Sequence, residues 1–388
     1  MLNYQESQMK KKIEILERDD ILNDKEFCNK YKSHFALALL LRGSEFFVKN
    51  IKTKIFLIKC DDHIIPCTLN NTEYNNAVNC SPHTSFVSYP KLELKKTKRL
   101  PIVFLRIILS LFDMITKLFK FNRVIQVNNF LSINDRQPAW LSEYLPEITK
   151  ILTSKYPTHA IYIPRVFNFT SNFLYKNLLF NNYKCLPIAV AYFFDFRKST
   201  KTKFRLKRDH RRDLKTLNTS TYKAISLENP TQAQIRRAHE LYQLIYLDKH
   251  ARFNPDYTVN YFEWHMKSKN HIFLGLLNQK IDAFICLRIM NNLATAAPGG
   301  YDSNLSQNLN LYRQQNALTI EYTKAKNYLL NLGPGVDRFK LNRGGIPVFQ
   351  YSAVYFHHLS FARKIPWFLL QRALKFMTIE RYLKVVSK

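Results

Sequence analysis

The sequence predicts an α/β fold on mixed sheets, in two domains that follow one another along the chain. Three observations carry this reading. Strand-like runs alternate with helix-like runs over the whole 388-residue chain. The series is broken once, by a basic and polar link at 198–203, and then starts again. Hydrophobic residues make up 46% and aromatics 14%, enough to fill two cores and too many for a disordered chain. The expected divisions are a charged leader over 1–26, a first domain over 27–197, and a second over 204–388 that ends in a basic amphipathic helix.

In the first domain, residues 28–49 have helical periodicity. Residues 54–60 and 63–69 alternate around Asp61-Asp62 as a hairpin. Residues 101–121 are apolar except for Arg106, Asp113, Lys117 and Lys120. Wound as a helix, those four share one narrow stripe, which is expected to face solvent. The charges bar an ordinary membrane span of about 20 apolar residues. The wide apolar face is then either core or a surface that lies flat on a bilayer, and the basic run at 95–99 suits anionic headgroups. Strands are predicted at 123–127, 160–163 and 188–196, and helices at 138–156 and 173–181.

In the second domain, helices are predicted at 205–217, 232–249 and 257–267. Residues 271–277 and 281–290 form a hairpin around Asn278-Gln279-Lys280, and 292–297 form a further strand. One long helix is expected over 311–330, short strands at 338–341 and 354–355, and the terminal helix over 366–386.

Lys and Arg number 59 against 29 Asp and Glu, a net charge of +30. Such an excess points to a polyanion, an anionic membrane or an acidic cofactor. The six cysteines have no paired or CxxC spacing, which predicts a reducing, cytoplasmic setting and no zinc site. Residues 1–20 are polar and charged, unlike a secretory signal. His357-His358 lacks a third ligand at metal spacing, so no metal is expected.

Two constellations carry chemistry. The first is Ala297-Pro298-Gly299-Gly300-Tyr301-Asp302, a polar loop, and Leu311-Tyr312-Arg313. It reads as a strand, a turn and a helix N-terminus, whose free N–H groups suit a phosphate. The second runs from Gly333 to Gly345, with Arg338, Lys340 and Asn342 expected on one face of a short strand. Tyr246 to His250 forms a polar loop placed to cap an acceptor pocket.

With these segments in view, NQKIDAF (278–284), PGGYD, LYR, FKLNRGG and AVYFHHL resemble the second domain of bacterial acyltransferases of the GNAT and Fem type. VNNFLS at 127–132 is similar to the first domain of the same group, which implies two GNAT-like folds in tandem. The resemblance implies N-acyl or aminoacyl transfer to an amine, from acyl-CoA or aminoacyl-tRNA as donor substrate, with no tightly bound cofactor. Where the GNAT pyrophosphate loop carries glycines, this chain has Ser306-Gln307-Asn308-Leu309-Asn310, which counts against standard acetyl-CoA use.

Such a transfer needs a neutral amine, an aligned attack and a stabilised oxyanion. Tyr301, Asp302 and Glu321 are the expected proton-handling residues. Gly300, Tyr312, Arg313, Lys340 and Arg343 are expected to line the donor cleft, the three cations holding phosphates. Two rival readings use the same scaffold without turnover. The run 205–215 holds six cations and would track the phosphates of tRNA or another nucleic acid. Alternatively, 101–121 and the tail would anchor the protein at the inner face of a membrane.

Overall fold

The computed structural model describes residues 12–95, 100–132, 136–198, 207–227 and 229–386. The start of the leader, most of the link at 198–203, and residues 96–99 of the basic run lie outside the described residues.

Twelve strands form one mixed sheet. They are β1 (Ile13–Leu16), β2 (Lys54–Cys60), β3 (His63–Asn70), β4 (Val124–Val127), β5 (Ala160–Val166), β6 (Lys184–Asp195), β7 (Lys223–Ser226), β8 (His271–Leu277), β9 (Ile281–Met290), β10 (Leu293–Tyr301), β11 (Leu329–Pro334) and β12 (Ile346–Tyr355). Their order across the sheet is β1-β2-β3-β4-β5-β12-β6-β11-β10-β9-β8-β7. Both predicted hairpins fall where their alternation placed them.

The order hides an internal repeat. β1 to β4 pair antiparallel in sequence, β4 and β5 run parallel, and β5 meets β12 antiparallel. β7 to β10 pair antiparallel in sequence, β10 and β11 run parallel, and β11 meets β6 antiparallel. Each half therefore hands its last strand to the other, and β6 and β12 pair at the centre. Each parallel pair needs a crossover helix, supplied by Leu141–Lys155 in the first half and Leu311–Ala325 in the second. Helices of the two halves also share one core, which runs from Leu37 and Phe47 to Tyr257 and Phe262.

Several local expectations are corrected. The long helix ends at Ala325, and Leu329–Pro334 is a strand, because its apolar residues fill the slot between β10 and β6. Asp337–Leu341 is a short helix rather than a strand. β1 lies inside the segment expected as a charged leader. Four residues at a sheet edge leave too short a run to register.

The Leu100–Leu118 helix is turned the other way from its expected orientation. Arg106 donates to the Leu94 carbonyl at 2.7 Å, and Asp113 receives His83, Lys91 and Lys117, so Arg106 and Asp113 face the body. Lys117 and Lys120 stay exposed at the end of the stripe, and the apolar face looks outward.

Candidate active site

β10 and β11 are paired only from Leu293 to Thr295 and from Leu329 to Asn331. Beyond those residues they part, and a cavity of about 230 Å³ opens between them. One wall is Ala296 to Gly300 of β10, and the other is Leu332 to Pro334 of β11. Tyr242, Tyr246 and Tyr257 close one side, and Tyr312, Gln315 and Asn316 of the crossover helix close the other. Ser132 reaches it from the first half.

The glycine pair has a packing reason. A Cβ on Gly300 would lie 2.4 Å from the Leu241 carbonyl oxygen, at the end of the Gln232–Gln243 helix. A Cβ on Gly299 would lie 3.0 Å from Gln315 Nε2 and 3.1 Å from the Phe284 carbonyl oxygen. Gln315 donates to that carbonyl where the β9–β10 register shifts between Ala296 and Gly299. The glycines thus let a helix end and a carboxamide close on the strand.

Of the expected site residues, the structure brings four to the cavity: Gly300, Tyr301, Tyr312 and Lys340. Lys340 is buried, and its ammonium donates to the carbonyls of Leu332, Gly333 and Pro334 at 2.9, 3.0 and 3.0 Å. Three acceptors offset much of the cost of burying the charge. Lys340 therefore fixes the open end of β11 while facing the cavity.

The two arginines are drawn away from the cavity by a carboxylate that the sequence reading did not single out. Asp213, fully buried on the Arg208–Asn218 helix, accepts from Arg313 Nε at 2.7 Å and from Arg343 Nε at 2.5 Å. Arg343 also donates to the Phe339 carbonyl at 2.8 Å, with its guanidinium 3.3 Å from the centroid of that ring. Both cations brace the basic helix against the wall of the site.

Asp302 follows Tyr301 on the strand and points to the opposite side. It accepts from Arg237 at 2.6 Å and from the Asn304 amide at 3.1 Å. Burial pushes its carboxyl up, but the hydrogen bonds from Arg237 and the Asn304 amide and the charges of Arg237 and Lys280 together outweigh it and hold the group below its ordinary range. Glu321 pairs with the buried His210 at 2.8 Å and faces the basic helix. Neither carboxylate lines the cavity.

The lining offers phenols and carboxamides. Burial pushes Tyr312 up to about 12 and Tyr242 well above its ordinary value. Tyr242 donates to the Pro255 carbonyl at 2.8 Å. Lys249 Nζ lies 3.4 Å from the Tyr301 hydroxyl and 5.8 Å from its ring centroid. Tyr301 is 6.0 Å from Tyr312, centroid to centroid. The segment expected as a polar loop is a π-helical turn, Leu244–His250, and it reaches the site through Lys249. Gln315 and Asn316 were missed. Their signal was a run of carboxamides and hydroxyls, Gln314, Gln315, Asn316, Thr319 and Thr323, all buried, while Leu318 and Tyr322 on the same helix are half-buried.

No family model matches the chain, and no curated protein matches it in sequence. Among solved structures it is similar to FemX, with 8% identity, a TM-score of 0.47, and 79% of this chain and 88% of that one covered. It is similar to L-PGS from Bacillus licheniformis, with 11% identity, a TM-score of 0.43, and 64% and 82% covered. It is also similar to a tandem GNAT protein from the clavulanic acid biosynthesis pathway, with 8% identity, a TM-score of 0.35, and 88% and 98% covered.

Proposed function

We propose that the protein is an N-acyltransferase and that its donor lies in the gap between β10 and β11. The observation that carries this is the parting of two parallel strands beside the glycine edge of β10. A gap between parted strands offers a strand edge along which an extended acyl carrier can lie. The reacting carbonyl would sit near Tyr301 and Tyr312. Tyr301, with Lys249 against its hydroxyl, is the group that handles the amine proton. The Asn316 and Gln315 carboxamides line the cavity and the Lys340 ammonium, held by its three carbonyls, adds positive charge beside it, with no carboxylate in the lining.

Two features favour an aminoacyl ester on a polyanionic carrier over acyl-CoA. The turn before the crossover helix has no glycine, and Asn310 takes its left-handed conformation at φ 52°. Arg313 and Arg343 are already engaged by Asp213.

The test is donor binding and transfer to small amines, with aminoacyl-tRNA and acetyl-CoA offered separately. Ala297→Trp, which fills the cavity, is expected to abolish donor binding. Tyr301→Phe is expected to keep binding and to lower transfer by roughly 10² or more. If the wild-type chain binds neither donor, or Ala297→Trp binds as wild type does, the cavity is not the donor site.

A further inference from the structure

The Leu100–Leu118 helix presents Phe104, Ile107, Ile108, Leu111, Met114 and Leu118 to solvent, each 44% to 69% exposed. Its polar groups face inward, where Asp113 is held by His83, Lys91 and Lys117. The terminal Phe361–Val386 helix repeats the pattern. Trp367, Leu370 and Thr378 pack inward, while Phe361, Phe368, Phe376, Ile379 and Leu383 form an outer stripe, 39% to 79% exposed.

The two helices are neighbours on one face of the sheet. Phe121 lies 4.2 Å from Trp367 between ring centroids, and Phe112 packs on the same cluster. Arg363 at the head of the terminal helix donates to the Lys120 carbonyl at 3.1 Å. An apolar surface on two adjacent helices is far more than single exposed side chains would give.

The charges around these stripes decide the occupant. Arg372 lies within the outer stripe of the terminal helix, with Lys364 and Lys375 beside it and Glu380 as that helix's one acid, and Lys120 follows the end of the other helix. Asp113, the one acid of the first helix, faces inward. A second copy would bring two such basic faces together on chains that each carry +30. An anionic bilayer accepts both features, with the apolar side chains entering the acyl boundary and the long cations reaching the headgroups. No described helix is long and apolar enough to cross a membrane, so this contact lies in the plane of the surface.

We propose that this face docks the protein on a bilayer containing anionic phospholipid. The proposal stands apart from the reading of the cavity. The test is co-sedimentation of the full chain with vesicles of phosphatidylcholine alone and with phosphatidylglycerol added. The wild-type chain is expected to bind the mixed vesicles. The triple variant Phe104→Ser, Leu111→Ser, Phe376→Ser should lose on the order of tenfold or more in partitioning. The conservative set Phe104→Leu, Leu111→Ile, Phe376→Leu should bind as wild type does. If the triple variant has a lowered melting temperature, the single changes Phe104→Ser and Phe376→Ser serve in its place. The idea is overturned if the wild-type chain stays in the supernatant or the serine variants bind undiminished. It is equally overturned if the wild-type chain is a soluble dimer that the serine variants separate.

Discussion

The two halves of the sheet share one set of strand pairings and differ where their parallel strands part. In the second half the gap beyond Thr295 and Asn331 is a cavity walled by aromatic rings. In the first half, β4 and β5 are paired from Val124 to Gln126 and from Ala160 to Tyr162, and side chains occupy the space beyond. Gln137, 1% exposed, donates to the Pro164 carbonyl of β5 at 2.7 Å. Asn128 donates to the Arg136 carbonyl at 3.0 Å, and Asn129 reaches Thr68 and the Asn79 carbonyl. The topology makes two gaps, and the residues that enter them decide which remains available. A fold supplies a place for chemistry, and side chains make it a site.

The largest expected effect lies beside the open gap. Asp213→Ala would leave Arg343 buried without its carboxylate, and Arg313 would lose the same partner. Chemical denaturation should give a loss of about 3–5 kcal/mol, the range for breaking one side of a buried ion pair. A loss below about 1 kcal/mol would mean that the brace is dispensable.

A matched pair of changes probes the two gaps directly. Gly300→Ala forces a methyl group against the Leu241 carbonyl and should cost about 1–3 kcal/mol. Gln137→Ala leaves the Pro164 carbonyl without its donor, with a cost in the same range, about 1–3 kcal/mol. Only the first should also lower donor binding. Equal losses of binding would erase the distinction between the halves.

The smallest effect concerns acid. His34 Nδ1 accepts from the Ala36 amide at the start of the Phe35–Arg42 helix, a role that only the neutral ring can fill. Burial, with Arg288 nearby, lowers it from 6.5 to about 4. The unfolded chain therefore binds the extra proton first. Stability held above pH 6.5 should fall as the pH drops through the window down to about 4. Urea titrations across that window measure it. His34→Asn keeps a cap acceptor and should flatten the slope. An unchanged slope would remove His34 as its source.

The chain by itself determined what depends on near neighbours. The hairpins of β2–β3 and β8–β9 were legible because alternation and turn residues are local. The Leu100–Leu118 helix and its polar stripe were legible from periodicity, and the glycine pair marked the strand end at Gly300 and Tyr301 that borders the cavity. What the tertiary structure decided depends on partners far along the chain. β6 and β12 change places because each fills a slot between strands of the other half. Arg313 and Arg343 turn from the cavity because Asp213, 100 or more residues earlier, is buried between them. The same is true of the polar stripe. Periodicity says which side chains share a face, and only the packing of His83 and Lys91 against Asp113 sets which way that face turns.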